Sequence, residues 1–273
     1  MSVTTVNRTI QPHNERPAAV WSSGGKEYDE ISRGIADSIE HCVMRLNPQP
    51  GERILDLSTG TGWTSRVVAR RGAMVVGVDI ARELLDAART KSIGSGLPIY
   101  YQLGDAESLP FDMGTFDAVV STYGVMFATR AEAAAAELAR VCRSGGRIAL
   151  TTWAADGNVV RMFELMKRYM PPQRPAARSP FEWGRPERVQ ELLGSAFELR
   201  FEKGVSYYRA PSGEAAWDTF SRGYGPTRSL AGDLDPTLRD ALRADFTAFH
   251  DSFPTELGIC VPREYLLTIG VRR

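Results

Sequence analysis

Apolar residues follow two different periods along the chain. Between residues 31 and 46 they recur at helical spacing, which predicts an amphipathic helix that ends before Pro48. From residue 53 onward, short apolar runs alternate with helical stretches, as is typical of β-α-β units and of a parallel sheet covered on both faces. Five strands are predicted in this part of the chain, at residues 53–57, 74–79, 99–103, 116–121 and 147–153.

The remaining pattern predicts helices around these strands and a less regular second half. Helices are predicted at residues 64–71, 82–93 and 130–142, the last one followed by a helix stop and tight turn at residues 144–146. Residues 1–17 read as a polar arm and residues 21–25 as a loop. Beyond residue 153 we predict helices at 159–170, 186–193, 213–224 and 237–252, a proline-rich linker at 171–180, and two strands at 197–208 and 264–271.

The length of 273 residues exceeds the usual size of one domain and is short for two. We therefore predict an α/β fold with one doubly wound core and a smaller appendage. Residues 1–27 form an N-terminal arm, and residues 28–155 form a Rossmann-like core. Residues 156–273 form a helical substrate cap and linker, together with the last two strands that complete the sheet.

Charge and cysteine content narrow the range of partners. Thirty-three basic and 33 acidic residues balance, which disfavours nucleic acid and anionic membranes and favours a small molecule as the partner. Cys42, Cys142 and Cys260 lie far apart without metal-ligand spacing, so we predict buried thiols and no metal site. The chain shows neither a signal peptide nor an apolar run long enough for a membrane span, so we expect a cytoplasmic protein. We also expect a monomer or a homodimer.

The segment from Ile54 to Trp63 carries the most informative motif. An apolar strand ends near Asp56 and turns through a small-residue loop that contains Gly60 and Gly62. Glycines permit positive φ and a close backbone approach, so a flat or charged ligand can lie against this loop and the helix N-terminus. By itself the motif also fits a dinucleotide site or a turn without a ligand.

Three further strand ends carry polar residues at the same edge of the predicted sheet. Asp79 ends the second strand, where a carboxylate reaches the hydroxyls of a bound ribose in doubly wound sheets. Asp105 and Ala106 follow the third strand, where a carboxylate and a backbone amide can distinguish adenine from other bases. Ser121 ends the fourth strand, beside the first, where the strand order reverses and the crevice opens.

The loop fits a positively charged nucleoside better than a dinucleotide. A dinucleotide fingerprint needs a third glycine, but that position is Ser65. The carboxylate of Asp56 would repel a pyrophosphate, whereas it suits an ammonium and a sulfonium. The ligand implied has ribose, adenine and positive charge but no phosphate, and S-adenosylmethionine has these properties.

These motifs resemble the class I S-adenosylmethionine-dependent methyltransferases, in particular the branch of the ubiquinone and menaquinone biosynthesis methyltransferases and their small-molecule relatives. The match extends from about residue 28 to residue 153, at segments 56–62, 75–80, 104–111, 116–120 and 137–141. The resemblance implies a seven-stranded sheet, mostly parallel, with an antiparallel last strand. It also implies methyl transfer from S-adenosylmethionine to a small molecule, with S-adenosylhomocysteine as the product.

The resemblance also implies roles for individual residues in cofactor binding. It assigns the loop to the methionine part, Asp79 to the ribose, Asp105 and Ala106 to the adenine, and Ser121 to the amino-acid end. Tyr28 matches a position where relatives carry an aromatic lid, although it can equally anchor its helix to the core. Ser58 departs from the family, which has glycine there. The complete predicted set of cofactor-binding residues is Tyr28, Asp56, Ser58, Gly60, Thr61, Gly62, Asp79, Ile80, Asp105, Ala106 and Ser121.

The acceptor and the catalytic residues are left open by the sequence. His250 and Tyr123 are candidates for a general base, beside the acidic residues of the C-terminal half. A structural role outweighs catalysis for His250, and no base is assigned. Transfer to O-, C- or N-nucleophiles remains possible. Aromatic residues of the second half can either line an acceptor pocket or pack helices together: Trp217, Phe220, Tyr224, Phe246 and Phe249. A nicotinamide-dependent oxidoreductase and a non-catalytic cofactor-binding subunit remain as alternatives.

Overall fold

The computed structural model describes residues 10–171 and 178–273. The strands of this described part are β1 (Arg53–Leu57), β2 (Met74–Asp79), β3 (Ile99–Leu103), β4 (Phe116–Thr122), β5 (Cys142–Trp153), β6 (Phe197–Ala210), β7 (Pro254–Thr255) and β8 (Gly258–Arg272). The helices are α1 (Glu15–Ser22), α2 (Tyr28–Arg33), α3 (Ala36–Leu46), α4 (Trp63–Ala69), α5 (Arg82–Ser92), α6 (Ala131–Val141), α7 (Asn158–Lys167), α8 (Pro186–Leu193), α9 (Gly213–Gly223), α10 (Gly225–Asp233) and α11 (Pro236–Asp251).

One mixed sheet organises the protein, with the strand order β3-β2-β1-β4-β5-β8-β6 and the two-residue β7 paired to β8. β1 to β5 run parallel, whereas β8 is antiparallel to both of its long neighbours. In β1, consecutive residues from Ile54 to Leu57 are buried, which shows that both sheet faces are covered. This confirms the predicted doubly wound α/β fold with an antiparallel last strand.

Helices cover the sheet and build a separate layer over one end of the crevice. α3 packs against β4 and β5, while α6 and α8 contact each other and pack against β5 and β6. α9 contacts both α10 and α11, and α11 also contacts α7. The strand order reverses between β1 and β4, and at this switch point the carboxyl ends of the strands open into a crevice.

Four predictions about local structure are wrong. The predicted single helix over residues 31–46 is two helices, because the chain bends at Gly34 and Ile35. Residues 21 and 22, predicted as loop, lie in α1, and α10 was not predicted at all. The predicted turn at residues 144–146 lies within β5, where Gly145 has a φ of 71° and the register against β4 shifts. Most of the predicted proline-rich linker lies outside the described residues.

Two findings bear on the predicted environment of the protein. Cys42 and Cys142 are buried free thiols, whereas Cys260 is half-buried. In residues 10–171 and 178–273, no helix is both long and apolar enough to cross a lipid bilayer. The structure thus agrees with the cysteine prediction at two of the three positions.

Candidate functional site

The loop between β1 and α4 carries a run of left-handed backbone conformations. Ser58, Gly60 and Gly62 have φ angles of 58°, 55° and 77°. Glycine adopts this conformation at little cost, whereas it costs Ser58 about 1–2 kcal/mol. A Cβ atom on Gly60 would lie 3.4 Å from Cε1 of Tyr28. The loop therefore runs close beneath the Tyr28 ring and leaves its backbone open to a ligand.

Asp79 joins the end of β2 to this loop. Its Oδ2 accepts a hydrogen bond from the Gly60 backbone N–H at 2.7 Å, and its Oδ1 accepts one from the Ala81 N–H at 2.8 Å. Burial raises the pKa of Asp79 to about 6. Because a carboxylate has about four lone-pair sites, two acceptor positions remain for the hydroxyls of a ligand.

Asp105, at the end of β3, is buried and holds the N-terminal segment. Its Oδ2 accepts hydrogen bonds from the Gln11 backbone N–H at 3.0 Å and from Asn14 Nδ2 at 2.9 Å. Its Oδ1 accepts one from the Glu107 N–H at 2.9 Å. This leaves capacity for about one more donor, such as an exocyclic amine.

A cavity lies between these strand ends, and we call it the loop cavity. It brings together two carboxylates, the glycine loop and the Tyr28 ring. Seven of the predicted cofactor-binding residues line it: Tyr28, Ser58, Gly60, Asp79, Ile80, Asp105 and Ala106. The other four predicted residues, Asp56, Thr61, Gly62 and Ser121, do not line this cavity. Direct contact of those four with a ligand stays a prediction.

Asp56 lies fully buried behind the loop. Its Oδ2 accepts hydrogen bonds from Thr59 Oγ1 and Ser65 Oγ, both at 2.6 Å, while its Oδ1 has no partner among the described residues. Burial raises the pKa of Asp56 to about 6. The carboxylate therefore holds both ends of the loop and places negative charge beneath it.

Thr61, Gly62 and Ser121 each fix the loop to a neighbouring element. Thr61 Oγ1 donates a hydrogen bond to Asp29 Oδ1 in α2 at 2.9 Å. A Cβ atom on Gly62 would overlap the hydroxyl of Tyr101, so glycine is required there by packing. Ser121 Oγ donates to the Leu57 carbonyl at 2.7 Å and accepts from the Val125 N–H at 3.1 Å, which ties the end of β4 to the end of β1.

Several residues of the loop cavity were missed by sequence reasoning. Asn14, Pro17 and Trp21 reach it from the N-terminal segment that was interpreted as an arm and loop. Thr64 and Thr122 also line it, and their hydroxyls are hydrogen-bonded at 2.7 Å. Thr122 follows Ser121 at the end of β4, so its position at the strand end was available as a signal. The N-terminal residues carry no comparable local signal.

A second cavity adjoins the first, and we call it the aromatic cavity. Tyr123 and Trp153 form part of its wall, with ring centroids 3.8 Å apart and planes 18° from parallel. Of the five aromatic residues considered from the sequence, Phe220, Tyr224 and Phe249 line this cavity, whereas Trp217 and Phe246 do not. Both cavities share the side chains of Trp21, Tyr28, Ile35, Tyr123 and Phe127.

The two candidate bases lie in the wall of the aromatic cavity. His250 is 2% exposed, and its Nδ1 is hydrogen-bonded to the Phe246 carbonyl at 2.8 Å. Burial lowers the pKa of His250 to about 4, so the imidazole is neutral at physiological pH. Burial raises the pKa of Tyr123 well above its ordinary value. Neither pKa lies near neutrality, where a general base is most effective.

Comparison with known proteins identifies the type of domain. Residues 55–150 match the model of a methyltransferase domain. An uncharacterised protein of Mycobacterium tuberculosis is 38% identical over 230 residues, which cover 83% of this chain and 83% of that protein. A demethylmenaquinone methyltransferase of Corynebacterium kroppenstedtii is 32% identical over 145 residues, which cover 51% of this chain and 61% of that enzyme.

A solved structure shows the same fold at low sequence identity. The YcgJ protein of Bacillus subtilis superposes with a TM-score of 0.59 at 20% identity, covering 87% of this chain and 98% of that one. Together with the sheet order and the loop cavity, these matches confirm the resemblance seen in the sequence motifs. The chain carries a methyltransferase domain and belongs to one family with the mycobacterial protein.

Proposed function

We propose that this protein transfers the methyl group of S-adenosylmethionine to a small, planar and largely apolar acceptor. The observation that carries the proposal is the pair of adjoining cavities that share five side chains. The loop cavity presents carboxylates and backbone amides, whereas aromatic rings dominate the second. A polar nucleoside and an apolar acceptor can therefore meet across a common wall.

The residues of the loop cavity fit the cofactor. We propose that Asp79 accepts hydrogen bonds from the ribose hydroxyls and that Asp105 accepts one from the adenine amine, next to Ala106. The Ser58 to Gly60 backbone and the ring of Tyr28 would enclose the methionine part, and Ile80 would pack on the nucleoside. The negative charge of Asp56, which lies buried behind the loop, supports a positively charged ligand group near the loop.

We assign a supporting role to the four predicted residues behind the cavity wall. Asp56 and Thr61 would hold the loop in place through Ser65, Thr59 and Asp29. Gly62 would allow Tyr101 to pack beneath it, and Ser121 would fix the distance between β1 and β4. A rigid loop matters because a preformed site loses less entropy when it binds its ligand.

The chemistry of the transfer makes positioning the main task of the protein. The sulfonium of the cofactor supplies an already electrophilic methyl group. The chain's own residues would orient the acceptor and exclude water, chiefly through the buried rings of Tyr123, Trp153 and Phe220. The relative named demethylmenaquinone methyltransferase supports a planar acceptor of this kind. Whether the methyl group goes to oxygen, carbon or nitrogen depends on the acceptor.

The proposal includes the organisation and the partners of the chain. Residues 28–155 would form the cofactor-binding core, residues 156–273 the acceptor cap with the last two strands, and residues 1–27 an N-terminal arm. Residues 14, 17 and 21 of this arm contribute to the wall of the loop cavity. The partner would be a small molecule, with the protein acting as a monomer or homodimer in the cytoplasm.

Calorimetry with purified protein tests the cofactor half of this proposal. S-adenosylhomocysteine should bind, whereas NAD⁺ should not. Asp79→Asn should weaken the binding of S-adenosylhomocysteine about tenfold or more, because a charge-assisted hydrogen bond contributes about 1.5–3 kcal/mol. The control Asp86→Asn, which removes an exposed carboxylate paired with Arg89, should leave the affinity unchanged. Binding of NAD⁺ alone would instead identify an oxidoreductase.

Isotope transfer tests the catalytic half. Methyl-labelled S-adenosylmethionine is incubated with the protein and a panel of phenols, quinols and aromatic acids, and extracted products are counted. Label in at least one planar acceptor, reduced strongly in Asp79→Asn and not in Asp86→Asn, is the expected result. Cofactor binding without label transfer to any member of the panel would contradict the proposed acceptor class and favour a non-catalytic subunit.

A further inference from the structure

Arg263 is a buried cation in the wall of the aromatic cavity. It lies on β8 opposite Ser206 of β6, and only 7% of its surface is exposed. The guanidinium carbon lies 5.5 Å from the centroid of the Trp153 ring and 5.2 Å from that of Tyr208. The charged group is therefore placed between aromatic faces rather than in water.

The hydrogen bonds of Arg263 leave part of the guanidinium without a partner. One terminal nitrogen donates to the Gly34 carbonyl and, at 3.4 Å, to Ser206 Oγ. The Nε–H is buried and has no acceptor among the described residues. Guanidinium nitrogens are donors only, so a buried N–H without an acceptor costs free energy, and the protein itself satisfies this cation only in part.

The charge of Arg263 also lacks a direct counterion. Within the described residues, no carboxylate oxygen lies within 4.0 Å of its guanidinium. Asp37 is linked to Arg263 through Ser206, whose Oγ donates a hydrogen bond to Asp37 Oδ1 at 2.7 Å, and its charge acts on the guanidinium without direct contact. His250 is neutral at physiological pH and adds no charge. Burial of an unpaired cation is expensive, and the aromatic faces offset only part of this cost.

We propose that Arg263 forms an anion subsite in the aromatic cavity and that the acceptor is a planar aromatic molecule with a carboxylate. The carboxylate would accept a hydrogen bond from Arg263, while the rings of Tyr123, Trp153 and Phe220 would enclose the apolar part of the molecule. The subsite rests on the proposed function, because it assigns the acceptor to this cavity. It adds a charge requirement that neither the fold nor the family supplies.

Two ligands of nearly the same shape, one anionic and one neutral, test this subsite. The wild-type protein is saturated with S-adenosylhomocysteine and titrated with 2-naphthoate and, separately, with the neutral 2-naphthamide, by calorimetry. The carboxylate should bind at least about tenfold more tightly than the amide. Equal affinities, or binding of the amide alone, would overturn the subsite. This comparison needs no variant and so does not depend on how a substitution folds.

Substitution of Arg263 then tests whether this residue causes the preference for the carboxylate over the amide. Arg263→Met should bring the affinity for 2-naphthoate down to that for 2-naphthamide, while the affinity for the amide changes by less than about threefold. The control Arg209→Met removes an exposed arginine of β6 that lies over Tyr207, and it should retain the preference. A preference that survives in Arg263→Met would also overturn the assignment.

The first titration separates this inference from the proposed function. If S-adenosylhomocysteine binds and the two naphthalene ligands do not differ, the subsite is wrong and methyl transfer stands. If S-adenosylhomocysteine itself does not bind, the proposed function fails. Absence of 2-naphthoate binding at about 1 mM, a level that corresponds to roughly 4 kcal/mol of binding free energy, counts against the subsite.

Discussion

Asn14 donates a hydrogen bond from Nδ2 to Oδ2 of Asp105 at 2.9 Å, and it joins the first turn of the N-terminal segment to the end of β3. The residues are 91 positions apart in the chain. Asn14 also accepts a hydrogen bond from Thr129 Oγ1 at 2.6 Å, and it is 3% exposed. The N-terminal segment is thus part of the wall of the loop cavity.

Removal of this contact should loosen the N-terminal segment. Asn14→Ala deletes the amide that serves Asp105 and Thr129, and it leaves both groups without that partner at a cost of about 1–3 kcal/mol. We expect faster amide hydrogen exchange in residues 10–22 and about three- to tenfold faster dissociation of S-adenosylhomocysteine, because most changes in affinity arise in the dissociation rate. Mass spectrometry and stopped-flow fluorescence measure the two quantities.

The control for this prediction separates the two hydrogen bonds of Asn14. Thr129→Val retains the contact between Asn14 and Asp105 and removes only the Thr129 hydroxyl. It should change the dissociation rate less than Asn14→Ala does. If both variants exchange and dissociate as the wild type does, the N-terminal segment is not a lid over the cofactor.

Two buried carboxylates predict how stability depends on pH. Burial raises the pKa of Asp56 and of Asp79 to about 6 each, above the value of roughly 4 expected in the unfolded chain. Between these values the folded protein holds protons that the unfolded chain has released. The contribution of these groups to the free energy of unfolding therefore falls as pH rises from about 4 to 6, and stays low above that.

Substitution of Asp56 isolates this effect. Asp56→Asn removes one of the two carboxyl groups with a raised pKa, so the change in urea midpoint between pH 4.5 and 7.5 should be less negative than in the wild type. Asp117→Asn is the control, because the Arg143 guanidinium lowers the pKa of Asp117, so the contribution of this carboxyl to stability changes only below about pH 4. It should leave the change between pH 4.5 and 7.5 as in the wild type. Parallel profiles for Asp56→Asn and wild type would show that Asp56 does not titrate there.

Ser121→Ala distinguishes support of the fold from contact with the cofactor. The substitution leaves the Leu57 carbonyl and the Val125 N–H without the hydroxyl they share, which should cost about 1–3 kcal/mol in the free energy of unfolding. The affinity for S-adenosylhomocysteine should fall by less than about threefold. Urea denaturation and calorimetry give the two values. A tenfold loss of affinity with unchanged stability would instead support the direct contact predicted from the sequence.

The strands around the site were predictable because their environment imposes a simple pattern. The bounds of β1, β2 and β3 match the predicted apolar runs. β1 and β2 are central parallel strands that are buried on both faces, whereas β3 is the edge strand and is only partly buried. Gly60, Asp79 and Asp105 could be placed at one edge for the same reason, because the carboxyl ends of parallel strands meet there. At these positions the local sequence pattern is therefore enough to predict where the residues lie.

The rest of the site depends on contacts that have no local signature. α1 contains Pro17 in its first turn and a mixture of polar and apolar residues, so its segment was interpreted as an arm and loop. Asn14 and Trp21 enter the cavity from there only because the chain folds back over β3. Arg263 is similar, since a charged residue in an alternating strand gives no indication of burial until β6 and β8 pair.

Gly60→Ala should weaken cofactor binding because of the added methyl group rather than because of backbone strain. Gly60 has a φ of 55°, and this left-handed conformation costs an alanine about 1–2 kcal/mol. Its methyl group would also lie 3.4 Å from Tyr28 in the space that we assign to the cofactor. We expect a modest loss of stability and a loss of S-adenosylhomocysteine affinity of about tenfold or more.

Gly94→Ala is the matched control for this substitution. Gly94 has a φ of 74°, and a Cβ atom there would meet nothing within 4 Å, so it carries the same backbone cost without the contact. Thermal unfolding should therefore shift by a similar amount in both variants, whereas calorimetry should show weakened binding only in Gly60→Ala. Equal affinities in the two variants would place the cofactor away from the Gly60 face of the loop, because backbone strain alone would then account for both results.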